Sequence, residues 1–124
     1  MKLLALSAIF LSVISTKDGC HKSSDNTAYK GRLEIKGMCM NYTVKLLAGN
    51  LDTSLIESKW TDENTNKSYT NVFALGSRCS FPASIEQGEE FLFTIDSTTV
   101  QNCSVCLAYY PTPSKHLSIK VIDK

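Results

Sequence analysis

The sequence predicts an all-β domain, an antiparallel sandwich or small barrel of about seven strands, behind an N-terminal signal segment. Three observations lead there. From Tyr29 onward the apolar residues recur with period two, the spacing that puts side chains on one face of a strand. No segment after residue 28 carries the 3.6-residue period of a helix. Gly37, Gly49-Asn50, Gly76, Gly88, Pro82, Pro111 and Pro113 punctuate the chain at short intervals, as the turns of sandwiches and barrels do.

Lys2 and the apolar run over residues 3–14, broken only by Ser7 and Ser12, have the form of a secretory signal. The run is too short for a membrane-spanning helix, which needs ~20 apolar residues. Two processing sites fit. Cleavage after Ser15, with Val13 at the −3 position, releases a soluble protein. Removal of residues 1–19 instead exposes Cys20, whose sulfur then carries a diacylglycerol, with Gly19 as the small residue before the cut. Lys17 and Asp18 depart from the usual Leu-x-Gly/Ala-Cys pattern. Cysteine parity favours the lipid: of five cysteines, lipidation of Cys20 leaves four that can pair fully. Residues 20–28, rich in Ser, Lys, Asp and Asn, read as a polar tether, and residues 29–124 as the β-domain. The expected partner at this end is a membrane, held through a lipid anchor rather than a span.

Within the domain, Leu33 and Ile35 alternate with Arg32, Glu34 and Lys36 in a half-buried first strand. Tyr42, Val44 and Leu46 mark the second. Ile56, Ser58 and Trp60 share one face of a third, which assigns Trp60 to the core. The Asn-rich stretch 61–67 then connects to a partner strand over 69–75. Phe91, Phe93 and Ile95 form the strongest core strand. Residues 106–110 read as a strand that Pro111 and Pro113 terminate, and Leu117, Ile119 and Val121 as the last. One domain of this size has a modest core, helped by covalent staples where the compartment permits.

After Cys20 the chain has eleven basic and eleven acidic residues, scattered rather than clustered. Such a surface lacks the electrostatic footprint of a nucleic-acid partner.

Cys103-Ser104-Val105-Cys106 is the first chemical candidate. In thiol oxidoreductases a CxxC opens a helix, whose dipole lowers the first thiol's pKa; here Leu107-Ala108-Tyr109-Tyr110-Pro111 follows, which is not helical in pattern. Disulfides are therefore the expected role of Cys39, Cys79, Cys103 and Cys106, with a thiol-redox centre as an alternative. Four cysteines allow three pairings, of which Cys39 with Cys79 and Cys103 with Cys106 is the one expected. A four-cysteine zinc site lacks its second close pair, so no metal is expected. His21 and His116 stand apart from any second ligand, and Asp62-Glu63-Asn64 with Asn66 does not follow the EF-hand spacing. Glu86, Glu89 and Glu90 flank Gly88 as a charged turn. Tyr109 and Tyr110 are candidate ligand-binding aromatics, because adjacent strand residues point to opposite faces and one must face outward. Asn41, Asn66 and Asn102 each head an Asn-x-Ser/Thr acceptor sequence.

Trp60-Thr61-Asp62, Asn71-Val72-Phe73-Ala74-Leu75, Cys79-Ser80-Phe81-Pro82 and Gly88-Glu89-Glu90-Phe91-Leu92-Phe93 follow a leader, a cysteine and a polar tether. In this arrangement the chain resembles small uncharacterised lipoproteins of the Bacteroidetes type. The resemblance implies location and fold, with no activity or cofactor to carry over. The function expected is that of an exported, lipid-anchored envelope protein without enzymatic activity, binding or scaffolding a protein or glycan at the cell surface. The alternatives are a secreted soluble inhibitor or ligand-binding domain, and a CxxC thiol-redox protein.

Overall fold

A computed structural model describes residues 27–98 and 100–124. The signal segment, Cys20 and most of the tether therefore lie outside the described residues. The strands are β1 (Tyr29–Lys36), β2 (Tyr42–Ala48), β3 (Glu57–Thr61), β4 (Ser68–Leu75), β5 (Glu90–Ile95), β6 (His116–Leu117) and β7 (Ile119–Asp123). Single 3-10 turns occupy Met38–Met40 and Thr53–Leu55, and no α-helix occurs among the described residues.

All seven strands belong to one sheet, in the order β3-β4-β2-β1-β5-β7 with antiparallel neighbours. β6 pairs in parallel with the end of β4, at Ala74↔His116 and Leu75↔Leu117. Only Ser118 separates β6 from β7, so a single segment pairs first with β4 and then with β5. The sheet thus wraps round on itself, and both walls of the core belong to it.

One side chain completes the closure. Ser77 is fully buried; its hydroxyl donates to the Ile119 carbonyl at 2.8 Å and accepts from the Ile119 amide at 2.9 Å. Ser77→Ala strands both backbone groups in a dry site. It is expected to cost about 2–3 kcal/mol by urea unfolding, whereas Ser80→Ala, at an exposed neighbour, should leave the midpoint in place.

Inward positions form a cluster centred on Leu33, Val44, Phe73, Leu75, Phe91 and Phe93. Each such buried side chain contributes about 1.5–3 kcal/mol relative to exposure. The aromatic members meet edge to face or tilted, as in Phe81–Phe91 at 5.5 Å and Phe73–Phe93 at 5.9 Å.

Two expectations are corrected. Trp60 is not in the core: it is only half-buried and stacks on Tyr69 at 5.7 Å. β3 pairs with the exposed first half of β4 (Trp60↔Tyr69, Thr61↔Ser68), which carries Trp60 past the buried stretch, while Ile56, just before the strand, takes the core position. Residues 106–110 do not form a strand. The final segment reaches β4 and β5 only after Pro113, so the preceding residues have no ladder to join.

A second buried layer lies outside the main cluster. A register shift between Leu33 and Ile35 turns Ile35 to the face opposite Leu33, beside Thr43, which in turn pairs with Ala74. Ile35, Thr43, Val72 and Ala74 are buried yet not part of the inner cluster. Pro111 and Pro113 are buried as well. The segment carrying them is tied to β3 by the Ser114 hydroxyl on the Glu57 carboxylate, and to the residue before β3 by Lys115 Nζ on the Ile56 carbonyl at 3.2 Å. The Thr43 hydroxyl in this layer has no hydrogen-bond partner. Thr43→Val should therefore stabilise the domain by about 1 kcal/mol in denaturant titration, because it removes an unpaired buried hydroxyl.

Candidate functional site

Two disulfides, Cys39–Cys106 and Cys79–Cys103, organise the region that the sequence singles out. Their Cα separations are 5.1 and 5.5 Å, within the ordinary range. The expected pairing is thus replaced by a nested one, with Cys79–Cys103 inside Cys39–Cys106. Cys39 sits in the β1–β2 connection at φ 58° and Cys79 in the loop after β4. The two cysteines of the CxxC reach them separately, so three loops are stapled into one unit. Cys103 and Cys106 are not bonded to each other, and the chain after Cys106 is not helical. All four sulfurs are consumed in disulfides. Bonds of this kind fit an oxidising environment outside the cytoplasm, and no helix among the described residues is long and apolar enough to cross a membrane.

Polar side chains reinforce the staples. Asn41 Nδ2 donates to the carbonyls of Met38 (3.0 Å) and Ala108 (3.2 Å), while its Oδ1 accepts from Arg78 Nη2 at 3.1 Å. The Cys79 amide donates to Gln101 Oε1 at 2.8 Å, and the Cys103 amide to Cys79 Sγ at 3.1 Å. Gly37 is required by a close approach: a Cβ there would lie 2.5 Å from the Asn41 carbonyl and 2.6 Å from the Tyr110 ring. Of the acceptor sequences, the one headed by Asn41 therefore has its amide engaged in fold-internal hydrogen bonds, whereas Asn66 and Asn102 are exposed.

The paired tyrosines separate as strand logic requires, although their segment is not a strand. Tyr110 is half-buried against Gly37. Tyr109 is 77% exposed, and its hydroxyl donates to Glu63 Oε1 at 2.6 Å. Glu63 belongs to the β3–β4 connection, so this contact ties the hairpin tip to the stapled segment. Sequence reasoning missed the pairing because 46 residues separate the partners. The same hairpin tip buries Asp62, whose carboxylate accepts from the Asn64 amide at 2.8 Å; the alternation gave no sign of it, since the residue lies in the connection.

The hydrogen bond to Glu63 raises the Tyr109 pKa above its ordinary value of 10.0, with desolvation and the Glu63 charge acting in the same direction. Burial, then the charges of Asp62 and Glu34, raise that of Tyr69. Only the neutral phenol of Tyr109 donates to Glu63. A raised folded-state pKa means that the contact's contribution is complete below the unfolded value and is lost as pH climbs through the folded one. Glu63→Gln should move one tyrosine's titration, followed by absorbance near 295 nm, to lower pH, and Tyr109→Phe should delete that same step.

The remaining candidates are accounted for as surface. Glu86, Glu89 and Glu90 pair with Lys36 (3.1 Å), Lys124 (3.4 Å) and Lys30 (3.0 Å). They fasten the turn before β5 to β1 and the chain end, each contributing at most about 1 kcal/mol. His116 is exposed in β6. Among the described residues no three His, Cys, Asp or Glu side chains gather as metal ligands. Comparison with family models, with curated proteins and with solved structures gives no match for this chain.

Proposed function

We propose that the chain is an exported, non-enzymatic binding module, held at a membrane through a lipid on Cys20, which presents residues 103–110 to a protein or glycan at the cell surface. The observation that carries this reading is the investment of both disulfides in a segment that is not part of the sheet. Cys103, Cys106, Leu107 and Tyr109 are exposed, yet the backbone around them is tied to the domain at Cys39, Cys79 and Asn41. Besides stabilising a small core, staples placed at the rim fix the exposed segment itself. A recognition segment gains from one, because a rigid segment loses less entropy on binding. The polar tether supports display at a distance from the anchor.

Intact-mass measurement of the protein from its native membrane tests the first half. The expected species starts at Cys20, carries acyl mass and gains four hydrogens on reduction of its two disulfides. A mature chain starting at Thr16 without acyl mass removes the anchor and leaves the module soluble. The second half is tested by cross-linking surface partners to the displayed protein. A Leu107→Ser variant should lose the captured partner with an unchanged unfolding midpoint; unchanged capture would sink the assignment of the surface.

A further inference from the structure

Residues 104–113 contain neither turn nor bend, so the backbone runs extended. Among the described residues, none of their backbone groups is hydrogen-bonded to another backbone group. In the exposed backbone stretch 106–109 only the Ala108 carbonyl, held by Asn41, has a hydrogen-bond partner among the described residues. In the middle stands Leu107, 97% exposed. An isolated exposed leucine is commonplace. What sets this one apart is its mounting. The residue before it is cross-linked to Cys39, and the carbonyl of the residue after it is held by Asn41 Nδ2 at 3.2 Å. Asn41 is itself oriented by Arg78. Two residues on, the Tyr109 hydroxyl is bonded to Glu63. An apolar side chain is thus presented to water on a backbone anchored on both sides.

An endopeptidase cleft accepts an extended chain through backbone hydrogen bonds and takes one side chain into its S1 pocket. From this we infer that residues 104–110 form a substrate-like inhibitory loop for serine endopeptidases with an apolar S1 pocket, and that Leu107 fills that pocket. The inference rests on the binding-module reading and names its partner class. Pre-organisation is what separates an inhibitor from a substrate here. Hydrolysis of the Leu107–Ala108 peptide consumes one water and yields a Leu107 carboxylate and an Ala108 amine. Both new ends stay attached to the domain, one through the Cys39–Cys106 bond and the other through Asn41 and Tyr109. The cut ends are kept in place, so the loop leaves the cleft slowly and the bond can re-form with loss of the same water.

The test uses the purified mature protein with its disulfides intact against chymotrypsin and elastase, with trypsin, whose S1 pocket is acidic, as the control. Inhibition of chymotrypsin or elastase with Ki below about 1 µM, on the order of −8 kcal/mol, is expected, and none of trypsin. Leu107→Gly should weaken it at least about 30-fold, the scale of a hot-spot residue, and Leu107→Lys should transfer inhibition to trypsin. Because the side chain is exposed, both variants fold, which an unchanged unfolding midpoint verifies. The inference is overturned by a folded protein that inhibits neither enzyme at about 100 µM, near −5.5 kcal/mol. It is equally overturned by undiminished inhibition from Leu107→Gly, or by cleavage after Leu107 as fast as in a linear peptide of the same sequence. Retained, Leu107-dependent capture of a surface partner alongside inert proteases would overturn the protease assignment alone; loss of both removes the binding module as well.

Discussion

Replacing Cys39 and Cys106 together by serine is expected to lower the stability of the domain by about 4 kcal/mol. The bond closes a loop across 67 residues, inside which Cys79–Cys103 spans 24. In the chain-entropy account the longer closure restricts the unfolded ensemble more. The inner bond already short-circuits part of the loop, but the dependence on length is logarithmic, so the estimate stays near 4 kcal/mol. Removing Cys79–Cys103 alone should cost about 3 kcal/mol by the same relation. Against a total of about 5–15 kcal/mol for a small domain, either loss is large. For the outer bond the thermal midpoint should fall by roughly 15–30 °C. The urea m-value should rise at the same time, because a less cross-linked unfolded chain exposes more surface. An unchanged midpoint would mean that the Asn41, Arg78 and Gly37 contacts hold the three loops without the staple.

Phe93→Ala should cost about 4 kcal/mol, in the range for a large aromatic truncated in a closed core. Phe93 is fully buried on β5 and lies within 5.6–6.0 Å of the rings of Tyr29, Phe73 and Phe91. It therefore bridges strands β1, β4 and β5. Its edge also sits where β1 has no side chain: a Cβ at Gly31 would be 2.9 Å from Phe93 Cε1. Gly31→Ala alone should overpack the site and destabilise by about 1–3 kcal/mol. Combined with Phe93→Leu it should cost less than the sum of the two changes, since one relieves the crowding made by the other. Leu92→Ala, at an exposed neighbour on the same strand, serves as the control and should stay within about 0.5 kcal/mol. Urea titration of these four variants and of Phe93→Leu alone reads all of these; additivity of the Gly31→Ala and Phe93→Leu changes would contradict the packing described here.

The candidate site was legible only in its components. Cysteine parity and the absence of helical period after Cys106 pointed to disulfides rather than a redox pair, and the doublet Tyr109-Tyr110 pointed to one ring facing out. None of these signals carries a distance. The partner of Cys106 lies in a loop 67 residues earlier, brought there because β6 and β7 close the sheet and sling the preceding segment past the β1–β2 connection. Asn41 read as a glycosylation acceptor, yet its amide fastens that segment at Ala108. Glu63 read only as part of the Asn-rich connection, yet it receives Tyr109.

The alternation of apolar and polar residues is a local property, and by itself it determined the all-β class and the inward faces of Leu33, Val44, Phe91, Phe93 and Ile119. A side chain's face follows from its neighbours two residues away, so no knowledge of the rest of the chain is needed. Strand pairing and cysteine pairing are different in kind. They depend on where a wrapped sheet brings its ends together, and only the tertiary structure decided them. It moved Trp60 out of the core, turned Ile35 and Thr43 to a second buried layer, nested one disulfide inside the other and left Leu107 on a stapled, extended backbone. The physical reason is that closure by Ala74↔His116 and Ser77–Ile119 joins segments about forty residues apart, a proximity that side-chain periodicity does not encode.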